Sequence, residues 1–268
     1  MITYSTGRRQ HLTALAAAGL ALMPGVCLAQ VTSVGDAIDK AEALHMTSQR
    51  ATKGYLAIAQ GVQPDSAGKV RDAAISQFDR QLTELRTYAP TPAIKKTYTD
   101  LQVLWLDMKA DLVGRKASVD GAKALLAEDA LVAKLANTGA QQLQDHSGKP
   151  TARLVGAAGD MRMLSQRIAK FYFASSYATT AALAETEVAS AARDFLSLKE
   201  QLKKAPQSTQ PLKDELELVS AQWIFLENAV RQKSDKSTMV RQGVVVWSTS
   251  ETILKIMNNL VAGYAKLS

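Results

Sequence analysis

Two stretches of the chain carry the same pattern. Residues 158–174 read AGDMRMLSQRIAKFYFA, and residues 41–57 read AEALHMTSQRATKGYLA. At an offset of 117 residues, eight of the seventeen positions are identical. The match continues downstream at three further pairs: Phe78 and Phe195, Pro90 and Pro206, and Trp105 and Trp223. Because the offset drifts by only one residue, as short loop insertions produce, the sequence predicts a duplicated unit.

Turn signals divide each copy into four helical segments. In the first copy, breaks that each contain Gly or Pro lie at residues 61–65, 89–92 and 114–118, and a Gly-Lys-Pro break at residues 148–150 separates the copies. The predicted helices lie near residues 33–61, 67–88, 92–116, 119–146, 151–181, 184–204, 209–234 and 237–267. Short connections force neighbouring helices to run antiparallel. The fold class is therefore predicted as all-α, with two tandem up-and-down antiparallel four-helix bundles spanning residues 30–148 and 149–268.

Composition supports helices and excludes several classes of protein. Apolar residues make up 47% of the 268 residues and aromatics only 6%, which favours helices over β-sandwiches. Mean hydropathy is −0.08, which argues against a protein that crosses the membrane many times. The run VVVW at residues 244–247 consists of residues that favour β-strands, but we interpret it as a buried part of the last helix.

The first 29 residues are typical of a secretory signal peptide. Arg8 and Arg9 precede an Ala/Leu-rich run, and Cys27 and Ala29 place small residues before a cut at Gln30. The paired arginines also fit the twin-arginine export route, whereas Pro24 interrupts the run and argues against an uncleaved anchor. We therefore expect a periplasmic protein that begins at Gln30.

The mature chain offers little for other partners or for catalysis. It has no cysteine, and its 30 basic and 25 acidic residues are interspersed, so export and charge together exclude nucleic acid as a partner. No serine triad and no Cys-x-x-Cys-His haem motif is recognisable, so we expect no enzyme activity and no cofactor. Glu42 and His45 have the Glu-x-x-His spacing of di-iron bundles, but a second such motif is missing and we expect no metal site.

The helix at residues 158–174 has two faces. Its core stripe consists of apolar residues at helical spacing, namely Leu154, Met161, Leu164, Ile168, Phe171 and Tyr172. The opposite sector mixes polar, small and large apolar residues, namely Gly159, Arg162, Met163, Gln166, Lys170 and Phe173. Large apolar side chains such as Met and Phe gain nothing on a solvated face, and glycine lowers the stability of a helix by about 1 kcal/mol relative to alanine. We therefore expect another helix to pack here, most simply the same helix of a second subunit.

This segment resembles the signature helix of the NarX/PilJ-type sensory domain, found in nitrate/nitrite sensor kinases and type IV pilus chemotaxis transducers. The family pattern Ala-Gly-x-x-Arg-Met-x-Ser-x-Arg is matched by Ala158, Gly159, Arg162, Met163, Ser165 and Arg167. The resemblance covers nearly the whole mature chain as two tandem domains. It implies a signal-transduction role without enzyme chemistry, a homodimer, and a membrane sensor or transducer as partner.

In the nitrate-sensing members, the resemblance implies an anion site at a dimer axis. The first arginine and the glycine backbone would bind nitrate or nitrite, roles that fall to Arg162 and Gly159, with Arg167 supporting the site. A guanidinium presents a planar fork of donors that suits a planar oxyanion. Residues at the dimer interface would be Met163, Gln166 and Phe173.

Several departures weaken the anion site. Asp160 places a carboxylate beside it, and in the first copy Glu42 replaces the glycine and His45 replaces the first arginine. Two functions stay open: a sensory module that binds a small ligand, and a structural adaptor that acts only through protein–protein contacts. If Asp160 pairs with Arg162, the arginine is neutralised, and the adaptor hypothesis is then favoured over the ligand-binding hypothesis.

Overall fold

The computed structural model describes residues 30–232 and 236–268, and within these ranges every regular element is an α-helix. The predicted signal peptide, residues 1–29, lies outside the described residues. The helices are α1 Val34–Ala59, α2 Pro64–Tyr88, α3 Pro92–Gly114, α4 Val119–Ser147, α5 Pro150–Ala174, α6 Ala181–Lys204, α7 Gln210–Arg231 and α8 Lys236–Ala265. The all-α prediction is confirmed. The largest difference is α5, which ends seven residues before the predicted position 181 and is followed by a turn.

Local sequence explains where the helices begin and end. Ser33 caps α1 by accepting a hydrogen bond from the backbone N–H of Asp36, and Thr91 caps α3 in the same way. Proline occupies the first turn of α2, α3, α5 and α7, where a missing N–H costs nothing. Gly148 ends α4 in the left-handed region, with φ of 63°.

Each copy forms a ring of four neighbouring helices. In the first copy α1 packs on α2 and α4, and α3 packs on α4. In the second copy α5 packs on α6 and α8, and α7 packs on α8. The equivalent aromatic pairs stack in both copies: the ring centroids of Phe78 and Trp105 are 3.8 Å apart, and those of Phe195 and Trp223 are 4.5 Å apart. These stacks confirm the duplication at the level of packing.

The two rings are joined through their signature helices. α1 and α5 pack along each other, so that α1, α4, α5 and α8 form a shared centre. Val246 and Trp247 are buried there, whereas Val244 is half-buried and Val245 is exposed, so the VVVW run is buried on only one face of α8. No helix in the described part of the chain combines the length and the apolar character needed to cross a bilayer.

Candidate functional site

The contact between α1 and α5, called here the seam, brings equivalent positions of the two copies together. Glu42 of α1 is the repeat equivalent of Gly159 of α5, and its side chain lies directly on that glycine. A Cβ added to Gly159 would lie 2.4 Å from the Cβ and Cγ atoms of Glu42. The backbone of Gly159 is therefore covered by a carboxylate side chain of the same protein.

The first predicted anion ligand, Arg162, is held by partners within the chain. Its side chain is 4% exposed, and its guanidinium donates to the carboxylate of Asp39 at 2.8 Å and to the backbone carbonyl of the same residue at 3.1 Å. A further hydrogen bond reaches the side-chain oxygen of Asn258 in α8 at 3.2 Å. The carboxylate that neutralises Arg162 is thus Asp39, from the first copy, and not its near neighbour Asp160.

The second predicted arginine, Arg167, faces α6. It forms two hydrogen bonds to the carboxylate of Glu187, one of them from Nε at 2.9 Å. Its guanidinium also lies 5.7 Å from the ring centroid of Phe171. About a third of its side chain is exposed, so Arg167 is more accessible than Arg162.

The outward sector of α5 differs from the expectation. Met163, Gln166 and Phe173 were expected to face a second subunit, yet all three are buried within this single chain. Gln166 accepts a hydrogen bond from Lys53 of α1 at 2.7 Å, and the backbone oxygen of Phe173 accepts one from Gln60. The physical reason is the duplication: α1 supplies the helix that a second subunit would supply. A homodimer stays a prediction, but these three side chains are already covered.

Two lysines at equivalent positions of the repeat each form an ion pair with a carboxylate of the other copy. Lys53 of α1 reaches Glu251 of α8 at 2.6 Å, and Lys170 of α5 reaches Asp129 of α4 at 2.5 Å. Burial lowers the pKa of Lys53 to about 8, although the charge of Glu251 opposes this. Burial lowers the pKa of Lys170 as well, again against its carboxylate partner. Each copy therefore depends on the other to neutralise a buried charge.

A cavity of about 460 Å³ borders the seam. Its walls come from α1, α4, α5 and α6, and its polar lining includes His45, Asp160, Arg167, Glu187 and Asp194. Burial, and then the charge of Asp194, raise the pKa of Asp160 to about 6. Burial, and then the charge of Arg167, lower the pKa of His45 to about 4, so this imidazole is neutral at pH 7.

A second cavity, of about 670 Å³, lies within the second copy between α6 and α7. Its lining is mostly apolar and includes Leu196, Trp223 and Val230. The cavity at the seam is the better candidate for a signalling site because both copies contribute to its walls.

Sequence reasoning missed the acidic partners of the site, which are Asp39, Asp129, Glu187 and Glu251. One signal could have pointed to them: Lys53 and Lys170 are identical in the repeat, and Lys170 lies on the sector of its helix that is expected to be covered. A buried lysine requires a carboxylate partner. The repeat alone could not show that the partner of each lysine comes from the other copy.

The fold and the site define a class: a tandem helical module whose two signature helices are packed together inside one chain. The chain belongs to the family described as the type IV pili methyl-accepting chemotaxis transducer N-terminal domain (PilJ), whose model matches residues 26–137 and again residues 146–243. This family consists of sensory transducer domains and is not an enzyme family. Comparison with curated proteins and with solved structures gave no match.

Proposed function

We propose that the protein is an exported sensory module that binds a small polar ligand at the seam cavity and acts on a membrane partner. The observation that carries this proposal is the position of the cavity, which His45 lines from the first copy and Asp160 from the second. A ligand there touches both copies at once. Small shifts of packed helices commonly transmit the effect of ligand binding to other parts of a protein.

The chemistry of the cavity favours a cationic or neutral polar ligand. Asp160, Glu187 and Asp194 line it, and Arg167 is the only strongly basic residue among its lining residues. Arg167 is itself paired with Glu187. The lining therefore has an excess of negative charge, which attracts cations and repels anions.

Recognition of nitrate or nitrite by Gly159, Arg162 and Arg167 is the second candidate. For an anion to reach Arg162 at the seam, it must displace Asp39, and Glu42 covers the glycine backbone. Both carboxylates come from the first copy, so the chain itself supplies negative groups where the resemblance places an anion. We infer that this region now has a structural role.

The outer helices α3 and α7 offer a candidate surface for contact with a partner. α3 exposes Leu106, and α7 exposes Ile224 and Phe225, each at more than half of its possible area. A contiguous patch of exposed apolar side chains marks such a contact, and the adjacent Ile224 and Phe225 are the best candidates for the centre of one. The same faces would serve the adaptor hypothesis, which requires partner contacts but no ligand.

A thermal-shift experiment on residues 30–268 separates these functions. The probes are nitrate, nitrite, and a panel of small amines and amino acids, with chloride at matched ionic strength. Ligand at 100 times its Kd adds about 2.7 kcal/mol to the free energy of unfolding. We expect a shift from a cationic or zwitterionic compound, and its loss in Ser190→Trp, which fills the cavity from α6.

The variants Arg162→Ala and His45→Ala test the anion site. A nitrate or nitrite shift that disappears in Arg162→Ala and persists in His45→Ala would establish the oxyanion function. If no probe shifts the wild type, the adaptor function is the better account. An equal shift in Ser190→Trp would show that the ligand binds outside the seam cavity and would contradict the proposed site.

Export is part of the proposal and has its own measurement. Intact-mass analysis of protein recovered from the periplasm should show a chain that begins at Gln30. Retention of Arg8 and Arg9 in that protein would contradict cleavage after Ala29.

A further inference from the structure

Three potential metal ligands meet where the seam borders the cavity. Glu42 and His45 lie one turn apart on α1, and Asp160 comes from α5 of the second copy. One ligand atom of each residue lies within 4.8 Å of the other two. The cluster therefore unites a Glu-x-x-His pair with a carboxylate from the other repeat.

Two of these side chains are buried and have unused ligand atoms. Glu42 is 0% exposed and His45 is 5% exposed. Oε2 of Glu42 and Nδ1 of His45 have no hydrogen-bond partner among the described residues. The other carboxylate oxygen of Glu42 accepts from Gln144 at 3.1 Å, which holds the group in place. A buried polar atom without a partner is unfavourable, and a bound cation would satisfy both atoms.

The surrounding cations compensate the two carboxylates only in part: burial and the charge of Asp160 raise the pKa of Glu42 more than the charge of Arg162 lowers it. The three nearby basic side chains each have an acidic partner, in the pairs Arg162–Asp39, Arg167–Glu187 and Lys170–Asp129. Burial, and then the charge of Asp160, raise the pKa of Glu42 well above its ordinary value. A cation bound at the cluster would therefore supply positive charge that the surrounding side chains do not.

We propose that Glu42, His45 and Asp160 bind one divalent transition-metal ion, such as Zn²⁺. One imidazole and two carboxylates form a nitrogen–oxygen ligand set that suits first-row divalent metals. Zinc–ligand distances of about 2.0–2.2 Å in a tetrahedral site place ligand atoms about 3.3–3.6 Å apart, so the cluster, whose ligand atoms lie within 4.8 Å of one another, needs to contract by up to about 1.5 Å. A fourth position would open towards the cavity, where water can enter.

This site goes beyond the sensory function and does not depend on it. The Glu-x-x-His pair alone gave no reason to expect a metal, because the first copy lacks further ligands of that kind. The third ligand lies 118 residues from Glu42 in the sequence. Only the packing of α1 on α5 brings it to the pair.

The test is equilibrium dialysis and calorimetry of chelator-treated residues 30–268 with Zn²⁺ at pH 7. We expect one equivalent to bind. Glu42→Gln and Asp160→Asn keep the shape of each side chain and should weaken binding by at least about tenfold, since even outer-shell changes cost 10–100-fold. His146→Gln is the matched control, because His146 is the other histidine of the mature chain, and it should bind as the wild type does.

Two further measurements keep the result independent of folding. Circular dichroism of Glu42→Gln and Asp160→Asn should match the wild type before metal is added. Calorimetry in two buffers of different ionisation enthalpy should show that binding releases protons, because metals bind the deprotonated forms of their ligands. Absence of binding at about 1 mM Zn²⁺, equal affinity in folded Glu42→Gln and Asp160→Asn, or loss of binding in His146→Gln would each overturn the proposal.

Discussion

Glu42 and Gly159 occupy the same position in the two copies and pack directly on each other across the seam. The glycine of one copy makes room for the glutamate of the other. The seam is therefore asymmetric at its centre, although its helices are related by duplication. This contact explains why a helix interior tolerates a glycine that costs about 1 kcal/mol relative to alanine.

Gly159→Ala should destabilise the protein. The added Cβ would lie 2.4 Å from Glu42, and overpacking of this kind costs about 1–3 kcal/mol in the free energy of unfolding. Urea denaturation measures the effect. Gly68→Ala is the control, because no atom lies within 4 Å of the new Cβ, and it should stabilise the protein by about 0.5–1 kcal/mol. The loss should shrink in a Glu42→Gly background, and an undiminished loss would contradict the proposed contact.

Lys170→Met should be among the most damaging single changes. The side chains of Lys170 and Asp129 are 4% and 0% exposed, and removal of one partner from a buried pair costs about 3–5 kcal/mol. Combining it with Asp129→Leu should restore most of that loss, because neither charge of the pair then remains. Chemical denaturation measures both variants.

The exposed pair of Lys96 and Asp100 provides the comparison. Its side chains are 74% and 48% exposed, so Lys96→Met should change the free energy of unfolding by at most about 0.5 kcal/mol. Equal effects of Lys170→Met and Lys96→Met would show that the buried pair does not contribute as its geometry indicates.

Asp160 should make stability depend on pH. Its pKa in the folded protein is raised from 3.8 to about 6, so the folded state holds this proton more tightly than the unfolded state does. The stabilisation is present below about pH 4 and is lost as pH rises through about 6. The wild type should therefore lose about 1–3 kcal/mol relative to Asp160→Asn between pH 4 and 7.

Urea denaturation of both proteins at several pH values checks this sign. In an Asp194→Asn background, the pH-dependent difference in the free energy of unfolding with and without Asp160→Asn should be smaller. The reason is that the charge of Asp194 is the second cause of the raised pKa of Asp160. A difference that grows in the opposite direction would contradict the burial of Asp160 at the cavity.

The two copies should unfold as one unit. Phe78 and Phe195 stack on equivalent tryptophans, and truncation of either to alanine costs about 3–5 kcal/mol. Because buried ion pairs cross the seam, both variants should lower the midpoint of a single transition followed by tryptophan fluorescence and calorimetry. Two separate transitions, each sensitive to only one variant, would show that the copies fold independently.

The sequence alone determined the helices, the duplication and the covered sector of α5. Caps, prolines and the 3.6-residue period act locally, so the helix positions and the equivalence of the Phe and Trp residues in the two copies could be inferred from pattern and repeat. The stacking of each Phe on its Trp could not. The same pattern showed that Met163, Gln166 and Phe173 require a packing partner. It could not say whether that partner was a second subunit or the first copy.

Only the tertiary structure decided which surfaces meet. Asp39 neutralises Arg162, Glu42 covers Gly159, and Asp160 joins Glu42 and His45, all through contacts between helices far apart in the sequence. Such pairings depend on the relative position of two rigid helices, and no local preference records it. Burial then sets the charge of these groups, because removing water changes the free energy of every ionised side chain at the seam.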